Sequence, residues 1–60
     1  MSLTVSVGEA AEILGIGRDR VYGLCHSRQL PAVRVGRTFR IPREALQTWL
    51  EAAAREGAVL

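Results

Sequence analysis

The 60-residue chain has no lysine, since all eight of its Lys and Arg positions are arginine, and it has one cysteine and one histidine. A lone Cys25 excludes an internal disulfide, and Cys25 with His26 is too small a set for a zinc site. No apolar run approaches the roughly 18 residues of a membrane-spanning helix, and no charged-then-apolar leader opens the chain. We therefore expect no metal, no cofactor, no membrane partner, and a reducing, cytoplasmic location.

The chain also lacks the groupings that catalysis requires. A chain of this length buries only roughly 60% of its extended surface on folding, which leaves little room for an enzyme cleft. His26 and Ser27 are adjacent, and neighbours on a helix do not face each other. No carboxylates are paired between Arg18 and Arg43, and no phosphate-binding loop is present. We expect neither catalytic residues nor a small-molecule substrate.

What the chain does have is concentrated positive charge. The formal net charge is only +2, but seven of the eight arginines lie between Arg18 and Arg43, where Asp19 is the single acid. The remaining acids lie outside that region, at Glu9, Glu12, Glu44, Glu51 and Glu56. This distribution predicts one cationic face suited to a polyanion. The exclusive use of arginine is compatible with a GC-rich coding bias and with the better fit of guanidinium to phosphate and guanine.

Three helices are predicted from apolar periodicity. The first covers about 7–14, because Ser6 and Glu9 form a Ser-x-x-Glu capping box and Gly15 can end the helix. The second covers about 18–27, with Gly17 as its cap and an apolar back of Val21, Leu24 and Cys25. The third covers about 43–55, and its stripe places Trp49 in the core. The stripe comprises Ala45, Leu46, Trp49, Leu50 and Ala53.

Residues 33–41 predict two short strands joined at Gly36-Arg37. We expect Val33, Val35, Phe39 and Ile41 to point inward, with Arg34 and Arg40 on the opposite face and Arg37 at the tip. The predicted fold class is therefore mainly α with a small β-hairpin. It is a winged helix-turn-helix of three helices plus a two-stranded wing, forming a single domain over 1–60.

This order of elements suggests a module that binds double-stranded DNA. The polar front of the second helix fits a major groove roughly 12 Å wide, and the hairpin would reach the neighbouring minor groove or its phosphates. Asp19 has the alternative role of stabilising the helix dipole, His26 that of a surface residue, and Tyr22 that of half-buried packing. The candidate DNA-binding residues are Arg18, Asp19, Arg20, Tyr22, Gly23 and His26 on the helix, and Arg34, Arg37, Thr38 and Arg40 on the wing.

A family resemblance covers about residues 3 to 51. Its motifs are Ser6-Val-Gly-Glu-Ala-Ala-Glu-Ile-Leu-Gly15, Arg18-x-x-Val-Tyr22, and Leu30-Pro-Ala-Val-Arg-Val-Gly-Arg-Thr-Phe-Arg-Ile-Pro-Arg-Glu-Ala-Leu46 with Trp49. The chain resembles the excisionase-type DNA-binding family, whose members share a MerR-like winged helix-turn-helix. The resemblance implies that the second helix reads DNA and that 33–41 is the wing.

The same resemblance implies partners and a role. Phage and mobile-element excisionases bind adjacent sites as several copies, bend attachment-site DNA and direct a separate integrase toward excision, without catalytic residues of their own. The expected partners are double-stranded DNA, an integrase and other copies of the chain, in a bacterial or phage-infected cell. Three positions depart from the family pattern. Gly17 replaces a frequent serine, Gly23 a frequently basic residue, and Arg28 a frequent glycine, at a cost of about 1 kcal/mol if that position needs a positive φ.

Other functions also fit the sequence. A small transcriptional regulator of the same fold would act by occluding a promoter. A protein-interaction module would dock through the third helix and the tail, and the chain could equally be a fragment of a longer regulator. Steep salt dependence of duplex binding separates the DNA-binding functions from the interaction module.

Overall fold

The computed structural model describes residues 2–60. It contains three helices and a small antiparallel sheet in the strand order β1–β3–β2, and the predicted fold class is confirmed. The elements, in chain order, are β1 (Thr4–Ser6), α1 (Val7–Leu14), α2 (Arg18–His26), β2 (Val33–Val35), β3 (Thr38–Pro42) and α3 (Arg43–Glu56).

The capping box that the sequence predicts for α1 is present. The Ser6 hydroxyl accepts a hydrogen bond from the Glu9 amide at 3.1 Å, and the Glu9 carboxylate accepts one from the Ser6 amide at 2.9 Å. The helix ends at Gly15, which has a φ of 71°. These two ends fix α1 at eight residues, and its buried Ala10 and Ala11 let α2 and β3 pack closely against it.

The first strand was not predicted, and it adds a third strand to the sheet on the side of β3 away from β2. β1 pairs antiparallel with β3, with Thr4 opposite Pro42 and Ser6 opposite Arg40. The Arg43 amide extends this pairing by donating to the Leu3 carbonyl at 2.9 Å. A strand of three residues with one buried side chain, Val5, is too short to show an alternating pattern in the sequence.

The predicted faces of the hairpin are right for β3, where Phe39 and Ile41 are buried, and wrong for β2. Arg34 lies opposite Phe39 in the pairing, and Val33 lies opposite Arg40. Residues directly opposite each other point to the same face, so Arg34 shares the inner face with Phe39, while Val33 shares the outer face with Arg40. The two-residue loop is the cause, because it pairs odd-numbered positions with even-numbered ones. Val33 and Val35 are accordingly 55% and 53% exposed.

The core lies between α1, α2 and the inner face of the sheet. Its buried residues are Val5, Val7, Ala10, Ala11, Val21, Cys25, Leu30, Phe39, Ile41 and Leu46. Trp49 is half-buried at the margin of this core, and its indole Nε1–H donates to the Gln29 carbonyl at 2.7 Å. Leu50 remains 37% exposed, so the apolar stripe of α3 is only partly covered.

The segment after α2 contains one residue with unusual backbone geometry. Arg28 has a φ of 63°, which is the left-handed conformation. Because a residue with a Cβ is strained there, arginine at this position is less favourable than glycine. The Gln29 and Leu30 amides both donate to the Leu24 carbonyl, which closes the end of the helix. α2 therefore ends at His26, one residue before the predicted end, and α3 ends at Glu56, one residue after it.

Candidate nucleic-acid interface

The α2 helix presents a polar front to solvent. It follows Gly17, whose extended backbone (φ −73°, ψ 155°) starts the helix without a side-chain cap. Val21 and Cys25 are buried on its back, whereas Asp19 and His26 are exposed on the front. Burial raises the pKa of the Cys25 thiol, which disfavours the thiolate. The front is therefore the accessible side of this helix.

Gly23 leaves the middle of that front without a side chain. A Cβ built at this position would meet no atom within 4 Å outside the helix itself, and Gly23 is not among the residues with positive φ. Neither packing nor backbone geometry within residues 2–60 thus requires glycine here. The missing side chain gives an external surface closer access to the helix backbone.

Phe39 joins α2 to the wing. The Tyr22 ring stands edge-on to Phe39 with centroids 6.2 Å apart, and the His26 ring does so at 5.8 Å. From the strand side, the Arg34 guanidinium carbon lies 5.8 Å from the same centroid. The structure thus brings Tyr22, His26 and Arg34 together. The sequence predicted only that Phe39 is a core residue. The chain has just one Phe, one Tyr and one Trp, and this scarcity could have drawn attention to Phe39.

The two arginines in the first turn of α2 are on different flanks. The Arg18 guanidinium lies against α1, about 3.2 Å from where a Cβ on Gly8 would stand. Arg20 Nη1 donates to the main-chain oxygen of Leu60 at 2.9 Å. Both side chains are exposed, so these contacts position them without removing them from solvent.

The wing tip carries an exposed cation, Arg37. Gly36 has a φ of 62°, as expected for the first central residue of a two-residue hairpin loop. Arg37 and Thr38 follow it and are exposed, and within residues 2–60 no side-chain hydrogen bond holds the Arg37 guanidinium. Arg34 Nε donates to the Gly36 carbonyl at 3.3 Å. The tip therefore presents Arg37 beyond the α2–wing junction.

Arg40 is separated from this group. It lies half-buried on the outer face, where its Nε donates to the Thr4 hydroxyl at 3.0 Å and its Nη2 to the Thr4 carbonyl at 3.4 Å. Those bonds fasten β1 to β3. The sequence did not point to Thr4 because it did not predict β1. The expectation that Arg34 and Arg40 share a face is wrong, because the register of the hairpin puts them on opposite faces.

Most of the positive charge has no carboxylate partner. Within the described part of the chain, the arginine side-chain hydrogen bonds go to main-chain oxygens and to the Thr4 hydroxyl. Hydrogen bonds from Ser6, first from its amide and then from its side chain, hold the pKa of Glu9 below its ordinary value, with smaller effects of Arg40 and Arg43. The guanidinium groups of α2 and the wing thus form no hydrogen bond to an Asp or Glu carboxylate within residues 2–60.

Two other kinds of site do not occur in residues 2–60. No group of three or more His, Cys, Asp or Glu side chains there could hold a metal ion. None of the helices described has the length and apolar character needed to cross a bilayer.

Comparison with known proteins gives consistent matches. Residues 4–54 match the family described as "Helix-turn-helix domain". A Mycobacterium tuberculosis protein named "Putative DNA-binding protein" is 43% identical over 47 residues, which are 78% of this chain and 60% of that protein. A Saccharopolyspora erythraea protein named "Probable excisionase" is 44% identical over 45 residues, which are 75% of this chain and 46% of that protein.

The chain thus covers less than two thirds of the length of these relatives. No solved structure matches it with significance.

Proposed function

Because the chain belongs to the helix-turn-helix domain family, we propose that it binds double-stranded DNA, with α2 as the recognition helix and the β2–β3 hairpin as the wing. The observation that carries this proposal is the junction at Phe39, which holds the open front of α2 beside the basic hairpin. The names of the relatives agree with it.

The recognition helix would enter the major groove by its first turns. Arg18 and Arg20 flank the front and match the fork geometry of guanine O6 and N7, or of phosphate. Tyr22 has its ring on Phe39, which leaves its hydroxyl for a phosphate oxygen. Gly23 allows the helix backbone at that position to approach base edges closely. Asp19 and His26 lie on the same exposed front of α2.

The wing would follow the adjacent backbone. Arg37 at the tip is the residue for the minor groove, whose negative potential attracts guanidinium. Arg34, on the side facing α2, would contact phosphate, with Thr38 beside it. Arg40 adds positive charge to the outer face while its hydrogen bonds to Thr4 keep β1 in place. These contacts give affinity that depends on salt and little sequence preference.

The finer role that we propose is that of an excisionase, a non-enzymatic accessory factor in the bacterial cytoplasm with the MerR-like arrangement of that family. It would bind and bend attachment-site DNA and direct an integrase toward excision. The support is the relative named "Probable excisionase" together with the motifs quoted above.

Self-association on DNA belongs to this role. A module of this size contacts few phosphates, so a single copy binds weakly, and loading of several copies on adjacent sites supplies the missing affinity. The copies would therefore act together on repeated half-sites.

The test is duplex binding by the chain across salt concentrations. We expect sites selected from a random-sequence duplex pool to be bound with a log affinity that falls linearly with log salt, by about 0.9 per phosphate contact. Affinity that is independent of salt would overturn the DNA-binding proposal in favour of a protein-interaction module.

A bending assay on attachment-site DNA then tests the finer role. We expect bending and binding of several copies there. Specific binding without either would favour the second candidate, a promoter-occluding regulator, which agrees with a relative named only for DNA binding.

A further inference from the structure

We propose that Phe39 is a positioning residue for the DNA interface: its ring fixes the angle between α2 and the wing and holds the Arg34 guanidinium toward the duplex. The inference rests on the proposed DNA-binding function. It adds a role for a side chain that is 9% exposed and would make no contact with DNA itself.

The argument starts from where the ring lies. Phe39 is on the inner face of β3, and its ring receives Tyr22 and His26 from α2 and Arg34 from β2. Tyr22 and His26 are four residues apart, so they are neighbours on one side of the helix. One ring therefore contacts two points of the recognition helix and one of the wing.

The geometry suits an aromatic ring in particular. Both α2 rings meet Phe39 edge-on, at interplanar angles of 63° and 70°, which is a favoured arrangement of aromatic pairs. The guanidinium of Arg34 is within the roughly 6 Å at which a cation is attracted to a ring face. An aliphatic side chain would fill the space but supply neither interaction.

The position of Arg34 shows what the ring adds. Arg34 is exposed, and within residues 2–60 its side chain forms one hydrogen bond, a long one of 3.3 Å to the Gly36 carbonyl. The ring contact is thus the restraint that keeps its guanidinium on the α2 side of the hairpin. A held guanidinium loses less side-chain entropy when it binds phosphate than a free one.

The experiment compares Phe39→Leu with Ile41→Val, a buried change on the same face of β3 that leaves the ring in place. Duplex affinity is measured against salt for each variant, alone and combined with Arg34→Ala, after circular dichroism shows that it is folded. We expect Phe39→Leu to reduce the salt slope by about 0.9, the value of one phosphate contact. Arg34→Ala should then have little further effect in that background but its full effect with Ile41→Val.

Two further variants keep the test independent of folding. Phe39→Tyr retains the ring and should retain the wild-type salt slope. Arg34→Lys changes an exposed residue and keeps its charge but loses the planar group, and it should weaken binding nearly as much as Arg34→Ala.

The proposal would be overturned if Arg34→Lys bound like the wild type, or if Phe39→Leu and Ile41→Val gave equal salt slopes. Failure of the wild-type chain to bind duplex would instead overturn the DNA-binding function on which the inference rests.

Discussion

The indole of Trp49 donates a 2.7 Å hydrogen bond to the main-chain oxygen of Gln29. This bond ties α3 to the segment that connects α2 with the wing. The bond therefore helps to hold both elements of the proposed interface, α2 and the wing, in place against α3. We do not expect α3 itself to contact the duplex.

Trp49→Phe removes that bond while keeping an aromatic side chain at the core margin. We expect a loss of about 1 kcal/mol, since a neutral hydrogen bond contributes roughly 0.5–1.5 kcal/mol. Thermal unfolding followed by circular dichroism should show a midpoint lower by about 4–8 °C. Gln47→Ala, on the exposed side of the same helix, is the control and should leave the midpoint near its original value.

Arg28→Gly should stabilise the fold. The left-handed backbone at position 28 disfavours any residue with a Cβ, and relief of that strain is worth about 1 kcal/mol. Urea unfolding measures the gain. Arg28→Ala removes the same charge but keeps the Cβ, so a comparable gain for Arg28→Ala would show that charge, and not backbone strain, is responsible.

Gly23→Ala should separate stability from function. Alanine is favoured over glycine in a helix by about 1 kcal/mol, and the space around position 23 is open, so the midpoint of unfolding should rise. Duplex affinity should fall because the added methyl group stands between the helix backbone and the base edges. Thr48→Ala on α3 is the matched control, with a gain in helix propensity and unchanged affinity. Stronger binding by Gly23→Ala would contradict the proposed close approach.

Glu9 should make stability depend on pH in the acid range. Its pKa is lower in the folded chain than its ordinary value of about 4.5, chiefly because it accepts a hydrogen bond from the Ser6 amide. The folded state therefore binds a proton less readily than the unfolded state. The contribution of the carboxylate is complete above pH 4.5 and is lost as the pH falls through the folded-state pKa.

Urea unfolding of Glu9→Gln between neutral and acid pH measures this effect. The variant keeps a capping-box acceptor but does not titrate, so its stability should fall less on acidification than that of the wild type. Glu12→Gln, an exposed change on the same helix, should behave as the wild type does.

Arg37→Ala and Arg20→Ala should have different effects on DNA binding. Loss of the tip guanidinium should weaken binding to all sequences and lower the salt slope by about 0.9. Loss of Arg20 should change which bases are preferred, because a bidentate contact to a base is worth roughly 1–3 kcal/mol of discrimination. Selection from a random duplex pool with each variant measures both effects. Identical sequence preferences for both variants would contradict this division.

The sequence predicted the parts of the fold that depend on local signals. The capping box of Ser6 and Glu9, the left-handed Gly15 and the apolar back of α2 each result from a pattern within five residues. The sequence also raised the possibility of a positive φ at Arg28, and the structure has one. The end of a helix commonly requires one left-handed residue.

What the sequence did not predict depends on pairing between distant segments. Thr4 and Arg40 are brought together by strand addition across 36 positions, which three residues of β1 do not signal. The faces of β2 were misassigned because both strands alternate apolar residues, and only the loop length decides the register. The position of Arg34 beside Phe39 follows from that register, and the contacts of Tyr22 and His26 with Phe39 depend on how α2 packs on the sheet.

The place of β2 at the border of the sheet has a consequence for solubility. β2 is an edge strand, so its outer main-chain groups face solvent, and the neighbouring Val33 and Val35 side chains are exposed. Edge strands of this kind can pair with strands of other molecules. Arg34 and Arg37 place like charges there, so two such borders repel each other in free solution. A polyanion that neutralised those charges would remove the repulsion. Association of copies through β2 would then occur only where the copies are bound to that polyanion.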